Sequence, residues 1–344
     1  MSDMTYTRMG NSGLVVSRLA LGTMTFTHGS DWIPGVAKVG LNDAQRMVDV
    51  ALDGGINFFD AADGYSNGEA EDILGKTLKG KRNDAVICTK LGFRQSDRVT
   101  DAGLSRGHIL SSVDGCLKRL DTDWIDLLVL HKTDFSTPME ETLATLQAVI
   151  DAGKVRHIGI SNWPAWKVAQ AVQFQRDNNM SQFVAEQYLY NAVSRDIEMD
   201  ILRMGAELGL GLMAWSPLAG GLLTGKYDLT KLEDSDGRLA EGDFLQVSKE
   251  QAQAAITALT AAAESHNATP AQIAQAWILN KRRDHTVIIG ASKLSQLETG
   301  IAAANIVLSD KEMAALDAAA APGRRYPEWF DDMMKDELFA KVLA

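Results

Sequence analysis

The chain has 344 residues, with 34 Lys and Arg against 45 Asp and Glu, for a formal net charge of −11. Its composition, 46% hydrophobic and 23% charged, suits a globular chain that buries a large core. The acidic balance and the lack of a basic stripe argue against nucleic acid as a partner. Two isolated cysteines, Cys88 and Cys116, cannot make a disulfide framework. No apolar run reaches the ~20 residues of a membrane helix, and Met1–Thr5 lacks the basic-then-apolar pattern of a secretion signal. The expected setting is cytoplasmic, away from membranes.

Residues 5–18 read as a hairpin turning at Asn11-Ser12-Gly13. Eight short apolar runs follow, at 19–22, 57–60, 86–89, 127–130, 157–160, 184–187, 212–215 and 287–290. Each is too short for a helix and is bounded by Gly, Asn, Ser or Asp, as buried strands are. Helical patterns lie between them. Asn42 is placed to cap a stripe of Ala44, Met47, Val48, Ala51 and Leu52, and Thr137-Pro138-Met139-Glu140 spells a capping box. Further helices fit 69–79, 105–120, 164–177, 196–208, 270–282 and 294–304.

Strand–helix alternation without a break means a parallel sheet with right-handed crossovers. Eight units close naturally into a (β/α)8 TIM barrel, whereas a doubly wound open sheet gives no reason for eight. The whole chain, 1–344, reads as one such domain, its hairpin covering the barrel floor. Two pieces fall outside the repeat. Residues 219–248 form a long connection with a Gly-rich start and an acidic middle, as mobile functional loops have. Residues 305–344 hold one more helix and an aromatic tail, Tyr326 to Phe330, expected to dock over the pocket.

In such a barrel the site lies at the C-terminal ends of the strands. The residues finishing the runs are Asp60, Lys90, His131, Ser161-Asn162, Gln187, Trp215-Ser216 and Ala291-Ser292-Lys293, with Tyr65 just past Asp60. Singly, each is an ordinary loop or capping group. Together, Asp, Lys, His and Tyr make a proton-transfer set. An ammonium beside a phenol lowers its pKa from about 10, and a carboxylate keeps that ammonium charged and oriented. Asp63 and Glu69 read as solvated loop charges; a hydrolase pairing either with Asp60 would leave Lys90 and Tyr65 without a role. The segment Gly220–Lys226 mimics a phosphate-binding loop, but Tyr227 stands where Ser or Thr is required. Gly209-Leu210-Gly211 precedes a strand, where a dinucleotide fingerprint would leave one. The six histidines and two cysteines show no metal-ligand spacing.

The segments NFFDAADGY (57–65), ICTKLG (87–92), LLVLHKTD (127–134), GISNW (159–163), EQYLYNAVSRDIE (186–198), WSPLAGGLLTGKY (215–227) and IIGASKLSQLE (288–298), with LGTMTF (21–26), resemble the aldo-keto reductases in order. The resemblance runs from about residue 5 to 320. It implies a barrel that binds NADP(H) and passes hydride between the nicotinamide and an aldehyde, ketone or alcohol. Asp60, Tyr65, Lys90 and His131 match its catalytic tetrad, with Tyr65 as the acid or base. Ser161, Asn162 and Gln187 match the nicotinamide carboxamide contacts, and Trp215 the ring-stacking position. Gly22, Thr23, Met24, Asp60, Ser216, Pro217, Leu218, Gly220, Lys226, Gly290 and Ala291 fall in cofactor-lining segments. Ser292, Lys293 and Gln296 match the grip on the 2'-phosphate, which favours NADPH over NADH. An acidic residue and an Asn often follow in this family; here Thr299 and Gly300 replace them, so weaker adenine anchoring is expected. His28, Trp32, Phe93, Trp163 and Trp329 are the candidates for lining a substrate pocket. The same fold also serves nucleotide-binding regulatory subunits of channels, the alternative reading. The sequence fixes no oligomeric state.

Overall fold

The computed structural model describes residues 4–30, 36–227, 229, 248–323 and 326–343. Strands β1 (Tyr6–Arg8) and β2 (Val15–Ser17) pair antiparallel as the predicted hairpin. Then come β3 (Leu19–Gly22), β4 (Phe58–Asp60), β5 (Val86–Leu91), β6 (Ile125–Leu130), β7 (Val155–Ser161), β8 (Phe183–Leu189), β9 (Gly211–Trp215) and β10 (Thr286–Gly290). All eight are parallel to their neighbours, and β10 closes the barrel by pairing Val287–Gly290 with Leu19–Gly22. The (β/α)8 barrel expected from the alternation is the observed fold.

The surrounding helices are α1 (Leu41–Asp53), α2 (Glu69–Thr77), α3 (Arg106–Leu120), α4 (Met139–Asp151), α5 (Ala165–Asp177) and α6 (Ile201–Leu208). After β9 come α7 (Lys249–His266) and α8 (Pro270–Lys281), and after β10 come α9 (Leu294–Ala302), α10 (Asp310–Ala319), α11 (Glu328–Met333) and α12 (Glu337–Leu343). Two helix starts differ from the expected ones. Helix α1 begins at Leu41 behind Gly40, ahead of Asn42, with no side-chain cap. Thr137 caps nothing either, because its hydroxyl donates to Asp134 at 2.7 Å and Pro138 becomes the N-cap of α4. Helix α7 is additional to the expected helices. Its start is a true capping box, Ser248 with Gln251, but its buried face is Ala252, Ala255, Leu259, Ala262 and Ala263, too small to print an apolar stripe. Of the connection expected over 219–248, Ala219–Thr224 folds as tight 3-10 turns, whereas 228 and 230–247 lie outside the described residues.

Strand side chains alternate between two faces, and this alternation builds the site. Inward residues Ala20, Phe58, Cys88, Leu127, Val129, Ala185, Met213 and Ile288 fill the barrel. Outward residues such as Leu21, Phe59, Ile87, Leu128, Ile160, Leu212 and Ile289 pack under the helices. Met9 and Val16 of the hairpin join the inner cluster, plugging the floor as expected. Small residues are required inside: a Cβ at Gly159 would lie 2.8 Å from the Ala185 carbonyl oxygen. One step further along, the inward register turns polar, at Asp60, Lys90, Ser161 and Gln187.

Among the described residues, no helix is long and apolar enough to cross a membrane. The aromatic tail does not reach the mouth. Tyr326, Trp329 and Phe330 are exposed and stack mainly on one another, while Glu328 pairs with Arg203 of α6 at 2.8 Å.

Candidate active site

The mouth of the barrel holds a cavity of about 580 Å³ lined by Tyr65, Phe93, His131, Ser161, Asn162, Gln187 and Trp215, among others. A cavity of similar size, about 570 Å³, opens at the opposite end, where Lys81 and Asp49 already pair with each other. The mouth brings Asp60, Tyr65 and His131 together at the strand ends.

Lys90 organises the site. It is fully buried, and its ammonium donates to Asp60 Oδ2 at 2.8 Å, to the Ala61 carbonyl at 2.6 Å and to the Tyr65 oxygen at 3.0 Å. An ammonium has three hydrogens and no acceptor, so its donors are all used. The hydroxyl hydrogen of Tyr65 must therefore be directed away from the lysine. Asp60 Oδ1 accepts from Gln187 Nε2 at 2.8 Å. The polar arc continues from there. Ser161 Oγ donates to the Gln187 carbonyl, Asn162 Nδ2 donates to Ser161 Oγ and to the His131 carbonyl, and Trp215 Nε1 donates to Asn162 Oδ1 at 3.3 Å. The path Tyr65–Lys90–Asp60–Gln187–Ser161–Asn162–Trp215 thus runs unbroken across the mouth.

Burial pushes the Tyr65 phenol above its ordinary value of 10, with the Lys90 charge acting against that rise. Lys90 acts in the expected direction, lowering the pKa, but a phenolate in this setting loses more solvation than one shared ammonium returns. For Lys90, burial pulls the other way, but the charges of Asp60 and Tyr65 outweigh it and hold the ammonium above its usual pKa. His131 is held well below 6.5 by burial and by Lys90, so it is neutral at pH 7. Phe93 packs edge-on against it, with ring centroids 4.5 Å apart.

A second cavity of about 410 Å³ shares Met24, Ser216, Pro217 and Gly290 with the first and runs toward α8 and α9. Leu218, Gly220, Lys226, Ala291, Ser292 and Gln296 line it as well. The path depends on unusual backbone. Ser216, Gly220 and Gly221 take φ of +54°, +66° and +100°, which brings main chain rather than side chains to the cleft. Gln296 Oε1 accepts from the Ser292 and Lys293 N–H groups at 2.9 and 3.2 Å, fixing the turn into α9. Lys293 is exposed beside it. Gly22 reaches the first cavity, whereas Thr23 is buried and donates to the Asp60 carbonyl at 3.0 Å.

Several single-residue expectations need correction. Trp163 is buried against Phe183, because Asn162 takes φ +59° and turns the next side chain away from the mouth. His28 contacts Asp72 of α2 at 2.7 Å and does not line the cavity. Trp329 belongs to the distant tail, and Trp32 lies outside the described residues. Of the five, Phe93 is in place.

Asp63 is not solvated: it is fully buried beside Glu71, whose carboxylate accepts from Arg119 at 2.7 Å and from Thr89. Burial first, and the Glu71 charge second, push the Asp63 pKa well up. Glu69 is pinned by the Thr27 hydroxyl at 2.6 Å and the His28 N–H at 2.8 Å. Neither carboxylate lines the cavity with Asp60. Among the described residues, no group of three or more His, Cys, Asp or Glu is arranged to hold a metal ion.

Residues 18–321 match the model of the aldo/keto reductase family. Two relatives are named probable voltage-gated potassium channel subunit beta, one from Oryza sativa subsp. japonica and one from Arabidopsis thaliana. They are 33% and 34% identical over 312 residues, covering 88% of this chain and 92% of each relative. With the barrel, its Asp–Lys–Tyr–His mouth and a match over most of its length, the chain belongs to the aldo/keto reductase family.

Proposed function

We propose that the chain is an NADP(H)-dependent oxidoreductase that interconverts aldehydes or ketones with alcohols. The observation that carries this reading is the buried ammonium of Lys90, which bridges Asp60 to Tyr65 at the mouth of the cavity. The continuous cleft suits a dinucleotide: Asn162 and Gln187 offer carboxamides beside a flat Trp215, main chain follows, and Lys226 brings positive charge to the far end, with Lys293 exposed next to the lining residue Ser292. Bound there, the nicotinamide would supply or accept a hydride.

The chain's own residues handle the proton. Lys90 donates to the Tyr65 oxygen, so the phenolic hydrogen is directed away from the lysine, and it is the proton passed to a substrate oxygen in the cavity. As that proton departs, the ammonium stabilises the phenolate. Asp60 keeps Lys90 charged, and Gln187 keeps Asp60 in place. Neutral His131 provides a hydrogen bond for the same substrate oxygen, while Phe93 and Trp215 give it apolar walls. A positioned acid of this kind contributes about 10²–10⁴ in rate.

The names of the relatives favour a second reading, a nucleotide-binding subunit of a membrane channel. It expects tight NADPH binding, little turnover and a stable protein partner. The intact proton-transfer set speaks for turnover. The test is NADPH oxidation with a panel of aldehydes and ketones, beside NADH and a Tyr65→Phe variant. The proposal expects NADPH-preferring turnover that falls about 10²–10⁴-fold in the variant, with nucleotide affinity unchanged. Binding without turnover in either direction would favour the subunit reading, and absence of nucleotide binding would refute both.

A further inference from the structure

At the end of the cleft remote from Tyr65, α8 and α9 face each other across Ala271, Gln275, Ile289, Gln296 and Thr299. Gln275 is an unusual residue for that wall. It is 5% exposed, and among the described residues its Oε1 has no hydrogen-bond partner. Buried amides are rarely left so. Opposite it stands Gly300, where an added Cβ would sit 3.4 Å from Gln275 Oε1 and 3.3 Å from Ile289 Cδ1. The glycine is not there for its backbone, since it lies within helix α9. Its missing Cβ lets the amide and Ile289 pack close to the α9 backbone. Thr299, the adjacent polar residue on α9, already donates its hydroxyl to the Ser295 carbonyl at 2.7 Å. The wall therefore combines flat apolar surface from Ala271 and Ile289 with one orphaned amide.

We propose that Gln275 is the residue that reads the base of the bound nucleotide, its Oε1 accepting from the 6-amino group of adenine. This rests on the nucleotide reading above and adds a specificity-determining residue to it. A side-chain amide pairs with adenine because it accepts from the amine while its own N–H₂ can donate to a neighbouring ring nitrogen. The terminal torsion of Gln is broad, so a turn about it can carry the oxygen from beside Gly300 to the cleft, which Gln275 lines. The anchoring expected to be weak at Thr299 and Gly300 is thereby supplied from the neighbouring helix.

The test measures affinity for NADPH and for its analogue bearing hydrogen in place of the 6-amino group. The probes are applied to the wild type, to Gln275→Leu, which keeps the bulk, and to Gln275→Glu, which keeps the acceptor. One hydrogen bond predicts that wild type prefers NADPH about 3- to 10-fold. Gln275→Leu should bind both equally, while Gln275→Glu should retain the preference. A wild type indifferent to the amino group, or a Leu variant that still distinguishes the two, overturns the assignment. In both cases NADPH would still bind. Loss of all binding by the wild type is a different result, and it would remove the nucleotide reading together with this one.

Discussion

The Asp60–Lys90 pair is the structural centre of the site, and its energetics can be tested apart from catalysis. Both side chains are almost wholly enclosed, with the charged atoms 2.8 Å apart. Substituting Lys90→Met keeps the length of the side chain and removes the charge. Asp60 is then a buried carboxylate whose remaining side-chain partners are Gln187 and the Cys88 thiol. Breaking one partner of such a pair costs about 3–5 kcal/mol. Unfolding entropy scales at about 2.1 cal/mol/K per residue, which for 344 residues gives about 0.7 kcal/mol/K. The expected fall in Tm is therefore about 4–7 °C. Adding Asp60→Asn removes the stranded charge, so the double variant should be more stable than Lys90→Met alone by about 2 kcal/mol or more. Thermal and urea unfolding followed by circular dichroism read this directly, and all these variants should lack turnover. A double variant no more stable than Lys90→Met would refute the argument, because it would mean that Asp60 carries no burdensome charge once the lysine is gone.

Other outcomes follow from groups outside the cavity. Burial holds Glu186, on the outer face of β8, up to about 8, with Arg282 opposing and Asp284 assisting. Its folded pKa exceeds the unfolded value, so stability is complete below about pH 4.5 and declines as pH rises toward 8, by about 1.4 kcal/mol per unit for this one group. Glu186→Gln should therefore be nearly neutral at pH 4.5 and stabilising at pH 7.5 in urea titrations; equal effects at both would contradict the buried, protonated state. Gly75 of α2 meets α3 so closely that an added Cβ would lie 2.6 Å from the Leu120 backbone. Helix propensity alone would reward Gly75→Ala by up to about 1 kcal/mol, but overpacking against rigid main chain costs about 1–3 kcal/mol. A measured loss of Tm is expected, and a gain would show that α2 shifts freely.

The barrel was readable because its strands are buried on both faces and appear as uninterrupted apolar runs. The tetrad was readable because each member ends or closely follows such a run. What stayed hidden was set by contacts between elements distant in sequence. Nothing near Asp63 announces that Glu71 and Arg119 enclose it, and its neighbours in sequence look like a polar loop. Trp163 follows a strand as a pocket residue would, yet the positive φ of Asn162 turns it into the core. Helix α7 presents alanines to its neighbours, so only Ser248 and Gln251 marked its start. Gln275 looks like one more polar residue of an amphipathic helix until α9 is placed beside it.

Closure of the barrel also sets when this site can come into being. The tetrad lies within the first 131 residues of 344, so a chain emerging from the ribosome carries all four groups early. The cleft beside them waits for the far end of the sequence. Thr25 Oγ1 donates to the Ala291 carbonyl, Arg18 reaches the Leu279 and Arg282 carbonyls, and β3 has its β10 edge open until residues 286–290 arrive. Pairings of such sequence separation are slow to form, and an unclosed sheet exposes strand edges that invite misassembly. During refolding, the recovery of nucleotide affinity should lag behind helix formation and keep time with the docking of β10 on β3.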